Sequence, residues 1–293
     1  MRWKNTRKDS VRLKEINIDV KCYSEGKRIY DFLKSDLTLS STLIKKVKFG
    51  GVFVNGNNVT MRAIVYKGDN VRVILPAETS ENISAKPMPL DIIYEDEHFI
   101  ALNKPTNMPT HPSKGNSLPT LAEGLCAYFS PEPFVFRAIN RLDRDTSGIV
   151  LIAKDQLSAD KLSKVMKSGG FIKKYEAIVC GTPNPPDGII DAPIDRIAEG
   201  NIKRGVIDSG KRAITEYKVL KIYDDGNSLV ELTLHTGRTH QIRVHMAHIG
   251  HPLKNDFLYG ERGDESYKLH AKSLSFINPF TNEFQTILCP SGY

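Results

Sequence analysis

The chain has 293 residues, of which 40% are hydrophobic and 26% charged. That is ordinary for a globular protein with room for two cores, and unlike a disordered or collagenous chain. No apolar run approaches the length needed to span a bilayer, and the polar start MRWKNTRKDS lacks a signal-peptide pattern. Cys22, Cys126, Cys180 and Cys289 lie far apart without a C-x-x-C pair. They read as free thiols in a reducing compartment, so the cytoplasm is the expected location and a disulfide frame or zinc site is not expected. The net charge of +7 is uneven: residues 1–80 hold 16 Lys+Arg against 8 Asp+Glu, and residues 81–293 hold 25 against 26. A basic first quarter joined to a neutral remainder points to a polyanion partner; the competing explanation is a basic tail that only aids solubility.

Residues 1–27 alternate weakly (Val11, Leu13, Ile16, Ile18, Val20) and are expected to form a short strand or an extended arm. Residues 28–75 predict a compact unit. Ile29, Phe32 and Leu33 recur at helical spacing, as do Leu43, Ile44 and Val47, and Gly50-Gly51 ends the second helix. Val52-Phe53-Val54 predicts a strand, Asn55-Gly56 a hairpin turn, and Val71, Val73 and Leu75 a last strand. Residues 76–89, with three prolines and no period, read as a linker.

The larger domain is assigned to 90–293. A hairpin over Ile92–Leu102 leads into a Pro- and Gly-rich loop at 104–118, which contains His111, and a helix near 120–129. Ser158 is the expected cap of the next helix, with Leu162, Val165 and Met166 on its inner face. Ile172–Val179 alternates and places Tyr175, Ala177 and Val179 on one face of a strand. Residues 181–212 are expected to be an irregular excursion. Ala213–Tyr223 and Ser228–His235 predict two strands, Thr239–Ile249 a helix, and Ser273–Ile277 with Phe284–Leu288 a final strand pair. The fold class expected is α+β with a mostly antiparallel sheet; no β-α-β alternation or Gly-rich phosphate loop suggests a dinucleotide fold.

One stretch concentrates chemistry. Arg141-Leu142-Asp143-Arg144-Asp145-Thr146-Ser147-Gly148 holds two carboxylates and two guanidiniums and runs straight into Ile149-Val150-Leu151-Ile152-Ala153, a core-strand pattern. The acid thus sits on a loop anchored to a rigid strand, although a solvated salt-bridge loop has the same composition. His235, His240, His245, His248 and His251 crowd together, but their spacing does not set three ligands on one helix face and no carboxylate or cysteine completes a shell, so no metal is expected.

Two family resemblances sharpen this reading. Residues 28–75 resemble the alpha-L type RNA-binding domain, on Ile29–Leu33, Ile44–Lys48, the Gly51–Gly56 turn and Lys67-Gly68-Asp69. Ser40-Ser41-Thr42 replaces the usual Ser-Arg pair; Lys45, Lys46 and Lys48 remain as candidate phosphate contacts. Residues 90–290 resemble the RluA-type pseudouridine synthases, on four blocks: Asn103-Lys104-Pro105 with His111-Pro112; Arg141–Gly148; Lys173–Ala177; and Gly237-Arg238-Thr239-His240-Gln241-Ile242-Arg243-Val244-His245. Lesser matches are Gly210–Ala213 with Thr215, Asp256 with Tyr259-Gly260, and Leu269-His270-Ala271; Asn140 stands where the family usually has histidine.

The resemblance implies isomerisation of uridine to pseudouridine within structured RNA, ribosomal RNA of the large subunit above all and transfer RNA as a further candidate. No cofactor, no metal and no membrane partner are implied, and a monomer is expected. Asp143 would be the reacting carboxylate, either adding to the anomeric carbon or removing a proton from the neighbouring ribose carbon. Arg243 would be its cationic partner, and Tyr175 would flank the uracil, the alternative being a core tyrosine. Arg141 would enter the space left by the extruded base, or else pair with Asp145. Asn140, Arg238 and His240 are expected to serve RNA binding or base access. Asp145 is assigned a capping or salt-bridge role. An RNA-binding or RNA-folding protein without catalysis is the alternative reading, and a two-carboxylate glycosidase lacks a second positioned acid.

Overall fold

The computed structural model describes residues 2–8, 11–78, 83–113 and 117–293, with side chains from Lys14 onward. Residues 79–82 of the expected linker and 114–116 of the Pro- and Gly-rich loop lie outside the described residues.

The N-terminal unit contains β1 (Arg2–Lys8), β2 (Val11–Asp19), α1 (Ile29–Ser35), α2 (Ser41–Val47), β3 (Val52–Val54), β4 (Asn57–Asn58) and β5 (Asn70–Leu75). Its sheet runs β1-β2-β5-β3-β4. The Asn55-Gly56 turn forms as expected, both residues taking the left-handed conformation that joins β3 to β4. Residues 11–27 are not a separate arm. β2 pairs with β5 along its length, and Ile16 and Val20 are buried with Ile29, Phe32, Leu33, Val47 and Val73. Without β2 the outer edge of β5 would have no partner, so the unit begins before residue 28.

The larger unit follows with β6 (Ile92–Glu95), β7 (Phe99–Lys104), α3 (Leu121–Tyr128), β8 (Ser147–Ala153), α4 (Gln156–Lys167), β9 (Phe171–Val179), β10 (Asp187–Asp191), β11 (Ile194–Arg196), β12 (Arg204–Val206), β13 (Ile214–Ile222), β14 (Ser228–Leu234), α5 (Gln241–His248), β15 (Leu269–Ile277) and β16 (Phe284–Leu288). The sheet order is β10-β13-β14-β9-β15-β8-β7-β6, with β16 on β15. The β8–β15 pairing is parallel and its neighbours are antiparallel, so the α+β, mostly antiparallel reading holds.

The uninterrupted apolar run of β8 follows from burial on both faces. Val150 and Ile152 join Ile100, Leu102, Leu121, Leu125, Tyr175 and Ile242 on the α3/α5 side. Ile149, Leu151 and Ala153 join Phe99, Leu162, Phe171 and Phe276 on the α4 side. Gly148 is required where β8 begins. Its φ is +103°, and a Cβ there would stand 2.4 Å from the Ala271 carbonyl oxygen.

Three local expectations need correction. Asp155, not Ser158, caps α4: its Oδ1 accepts from the Leu157 and Ser158 amides at 2.9 Å each. The helix expected over 239–249 starts at Gln241, because His240 adopts a left-handed conformation. The 181–212 excursion is partly ordered, with β10 joining the main sheet and β11–β12 forming a hairpin of their own.

The small unit rests on α4. Leu157 belongs to its core, Lys14 Nζ meets Asp155 Oδ2 at 2.5 Å, and the Ser40 amide donates to Asp160 Oδ2 at 3.0 Å. Glu78 pairs with both Lys46 and Arg137, tying linker, small unit and body together.

Candidate active site

The 141–146 loop enters β8 from one end of the sheet, and the segment after β7 grips it. Lys104 is fully buried and donates to three carbonyls, Pro105 at 2.9 Å, Met108 at 2.7 Å and Arg144 at 2.9 Å. Thr106 Oγ1 donates to the Asp145 carbonyl at 2.8 Å, and Thr110 Oγ1 to that of Leu142 at 3.0 Å. One ammonium with three protons thus satisfies three buried acceptors. Burial pulls the Lys104 pKa down to about 8, against the opposing pull of Asp145 and Asp143. The sequence had put Lys104 in a family block without a role; its buried position is what reveals one.

Held this way, Asp143 faces a cleft of about 600 Å³ lined by Tyr175, Arg238, His240 and Arg243 among others. Its side chain is 34% exposed, and its Oδ2 lies 3.8 Å from Arg243 Nη1 and 3.8 Å from His240 Nε2. Arg243 has a closer partner. Its Nε and Nη2 each donate to Asp256 at 2.7 Å, with both side chains almost wholly buried. Its guanidinium also stands over the Tyr267 ring, 4.4 Å from the centroid, and 5.0 Å from that of Tyr259. Burial works against the Arg243 charge and is the largest single influence, but the Asp256 bonds together with the nearby Tyr267, Asp256 and Asp143 outweigh it and hold its pKa above the ordinary arginine value. Arg243 is therefore a cation fixed in place before Asp143 is considered.

Tyr175 projects from β9 into the α3/α5 core with 7% exposure and lines the cleft floor. Burial, and then the Asp143 charge, push its pKa up, so it faces the cleft as a neutral phenol. Lys173, two residues earlier, lines the same cleft, and burial lowers its pKa.

The flanking residues divide. Arg141 is exposed at the cleft and, among the described residues, makes no ion pair; Asp145 is paired instead with Arg144, at 2.8 and 2.9 Å. Arg238 is exposed, its Nε donating to the Arg212 carbonyl at 3.0 Å. Asn140 lines the cleft beside Arg141 and also braces the strand. Its Nδ2 donates to the Ile149 carbonyl at 2.9 Å and its Oδ1 accepts from the Leu151 amide at 2.8 Å. Its amide is occupied with β8 backbone, as a strand partner would be. Lys45 and Lys46 lie apart, exposed on α2 of the small unit, with Lys48 exposed at its C-terminal cap. Lys46 is engaged by Glu78 at 2.5 Å and by Gln156 at 3.0 Å, while Lys48 lies over the Phe49 ring.

Asp256, Tyr259 and Tyr267 are the residues sequence reasoning left without roles. Asp256 and Tyr259 stood in a lesser family match; nothing local marked Tyr267. Among the described residues, no group of three or more His, Cys, Asp or Glu could hold a metal ion. His245, the most buried of the clustered histidines, bonds to Thr215 and to the Ala192 carbonyl.

Comparison with known proteins places this cleft in a family. The RNA pseudouridylate synthase sequence profile matches residues 98–248, which contain Asp143, Tyr175, His240 and Arg243. The chain belongs to the RNA pseudouridylate synthase family. YjbO of Bacillus subtilis, an uncharacterised RNA pseudouridine synthase, is 40% identical over 255 residues, 85% of this chain and 90% of that one. Ribosomal large subunit pseudouridine synthase D of Vibrio cholerae is 36% identical over 253 residues, 80% of this chain and 78% of its own. The structure of human RNA pseudouridylate synthase domain containing 1 superposes with a TM-score of 0.57 at 28% identity, covering 70% of this chain and 86% of that one. The protein is thus an RNA pseudouridine synthase, an isomerase acting on RNA, and each of the four RluA-type blocks contributes residues to the cleft. Among the described residues, no helix is long and apolar enough to cross a membrane.

Proposed function

We propose that this synthase isomerises uridine in ribosomal RNA of the large subunit, with Asp143 as the reacting carboxylate. The observation that carries the assignment is Asp143 itself: a partly exposed carboxylate on a braced loop, 3.8 Å from a buried, prepaired arginine, over a floor containing a neutral tyrosine. A carboxylate so placed can add to the anomeric carbon or take a proton from the adjacent ribose carbon. Arg243 presents a fixed positive charge beside it, at no cost in reorganisation because Asp256 already holds the guanidinium. Tyr175 offers a flat surface to uracil, and its raised pKa suits a hydrogen-bond partner better than a base. Arg141, exposed and without an ion-pair partner among the described residues, is placed to occupy the stack vacated by the flipped base. The large-subunit substrate rests on the named Vibrio cholerae relative. Residues 11–75 are proposed as the RNA-binding unit of alpha-L type, presenting Lys45 and Lys48, and the cytoplasm as the site of action.

The test is to incubate unmodified ribosomal and transfer RNA transcripts with wild-type protein and with Asp143→Ala, then map pseudouridine chemically. Modification of large-subunit RNA by wild type alone supports the proposal. Modification confined to transfer RNA would overturn the substrate, and an active Asp143→Ala would overturn the assignment of the acid.

A further inference from the structure

Asp143 meets its two neighbours on one oxygen. Arg243 Nη1 and His240 Nε2 both approach Oδ2 at 3.8 Å, and among the described residues Oδ1 makes no ion pair. His240 is held for this position at a cost. It takes a left-handed backbone (φ 59°, ψ 19°), uncommon for a residue with a side chain, at the turn that starts α5. Its other ring nitrogen, Nδ1, lies 2.8 Å from the Tyr259 hydroxyl. That hydroxyl already accepts the Arg204 amide at 2.8 Å.

The proton count decides the tautomer. A phenol carries one proton, and here it has one ready acceptor, Nδ1 of a neutral imidazole. Were Nδ1 protonated, two N–H groups would point at the Tyr259 oxygen and the phenol proton would have no acceptor. With Nδ1 accepting, the ring proton sits on Nε2 and faces Asp143. His240 meets Asp143 from the 141–146 loop, Arg243 from its own helix, Asp256 beyond it, and Arg204 and Tyr259 behind. Burial lowers the His240 pKa, partly opposed by Asp143, while Arg243 and Arg204 disfavour a second cation.

We propose that His240, oriented by Tyr259, is a positioning residue: a neutral N–H donor that with Arg243 holds Oδ2 of Asp143 and leaves Oδ1 to face the ribose. This rests on Asp143 being the reacting carboxylate. A second full charge would make the carboxylate a poorer nucleophile or base, whereas a neutral donor orients it with less loss of basicity. The 3.8 Å separation shortens to a hydrogen bond when RNA fills the cleft, as such contacts commonly tighten in the substrate complex.

The experiment measures single-turnover rate against pH, and RNA affinity, for full-length wild type, His240→Ala, His240→Gln, Tyr259→Phe and Asp143→Ala. The RNA is a transcript on which wild type forms pseudouridine. His240→Ala and Tyr259→Phe should lower the rate about 10–100-fold with RNA affinity within about twofold. The acid limb of their pH–rate profile should move, because the carboxylate has lost a neighbouring N–H donor. His240→Gln, which keeps a neutral N–H at similar reach, should recover part of the rate and of the limb. Tyr259→Phe preserves the ring, so it keeps the test open if His240→Ala folds poorly. An unmoved acid limb with weakened RNA binding would overturn the proposal and make His240 an RNA contact. An active Asp143→Ala would overturn the underlying assignment, and this inference with it; an inactive Asp143→Ala with normal pH profiles elsewhere would sink this inference alone.

Discussion

Arg243 and Asp256 form a buried two-point pair, 2.7 Å at each bond, and the same guanidinium reaches Asp143 only at 3.8 Å. The arginine expected to be the partner of the reacting acid is thus first the partner of another. Asp256→Ala should strip Arg243 of both buried hydrogen bonds and leave it only the partly exposed Asp143 at 3.8 Å, costing about 3–5 kcal/mol of folding stability. Urea unfolding measures this. A loss below about 1 kcal/mol would show the pair to be water-accessible and of surface strength. Arg243→Lys should abolish activity almost as fully as removal, since an ammonium cannot make both Asp256 bonds and still face Asp143.

Lys104 predicts a pH-dependent stability. Its pKa is about 8 in the folded chain and 10.5 in the reference state. Between those values the unfolded chain binds more protons, so the Lys104 contribution rises with pH through that window and is least favourable below pH 8. Wild type should therefore gain up to about 3 kcal/mol relative to Lys104→Met between pH 8 and 10.5. Superimposed on this is a loss in the variant from carbonyls left without a donor, three while the wild-type ammonium is intact and two once it has given up a proton above pH 8. Denaturation of both proteins across that range is the measurement; parallel curves would show Lys104 to be unshifted.

Asn140 gives a prediction opposite in kind to its expected role. Asn140→Ala should cost about 1–3 kcal/mol, because a β8 amide and a β8 carbonyl lose their partners. RNA affinity should stay near wild type. A large fall in affinity at unchanged melting temperature would return Asn140 to the RNA interface.

The lysines of α2 should separate by salt dependence. Lys45→Ala and Lys48→Ala should each flatten the plot of log affinity against log salt by about one unit if each meets a phosphate. Lys46→Ala should change the slope less, because Lys46 is engaged by Glu78 and Gln156, and should instead loosen the small unit from α4. Equal slopes for all three variants and wild type would remove α2 from the RNA-binding surface.

The local sequence determined what depends on nearby residues. Helix faces at Ile29–Leu33 and Leu43–Val47, the Asn55-Gly56 turn, the two-faced β8 strand and the alternation of β9 follow from side-chain periodicity and turn preference, and all were legible. The family blocks also marked the stretches that meet at the cleft, since their order along the chain survives without coordinates. What the tertiary structure decided is which group satisfies which. Asp256 takes Arg243, Lys104 spends its protons on three carbonyls, Asn140 joins β8, Lys46 turns to the linker, and β2 closes the small unit's sheet. Each depends on burial and on pairings between residues distant in the chain, and one sequence does not specify such pairings: buried polar groups must find partners, but composition does not say which.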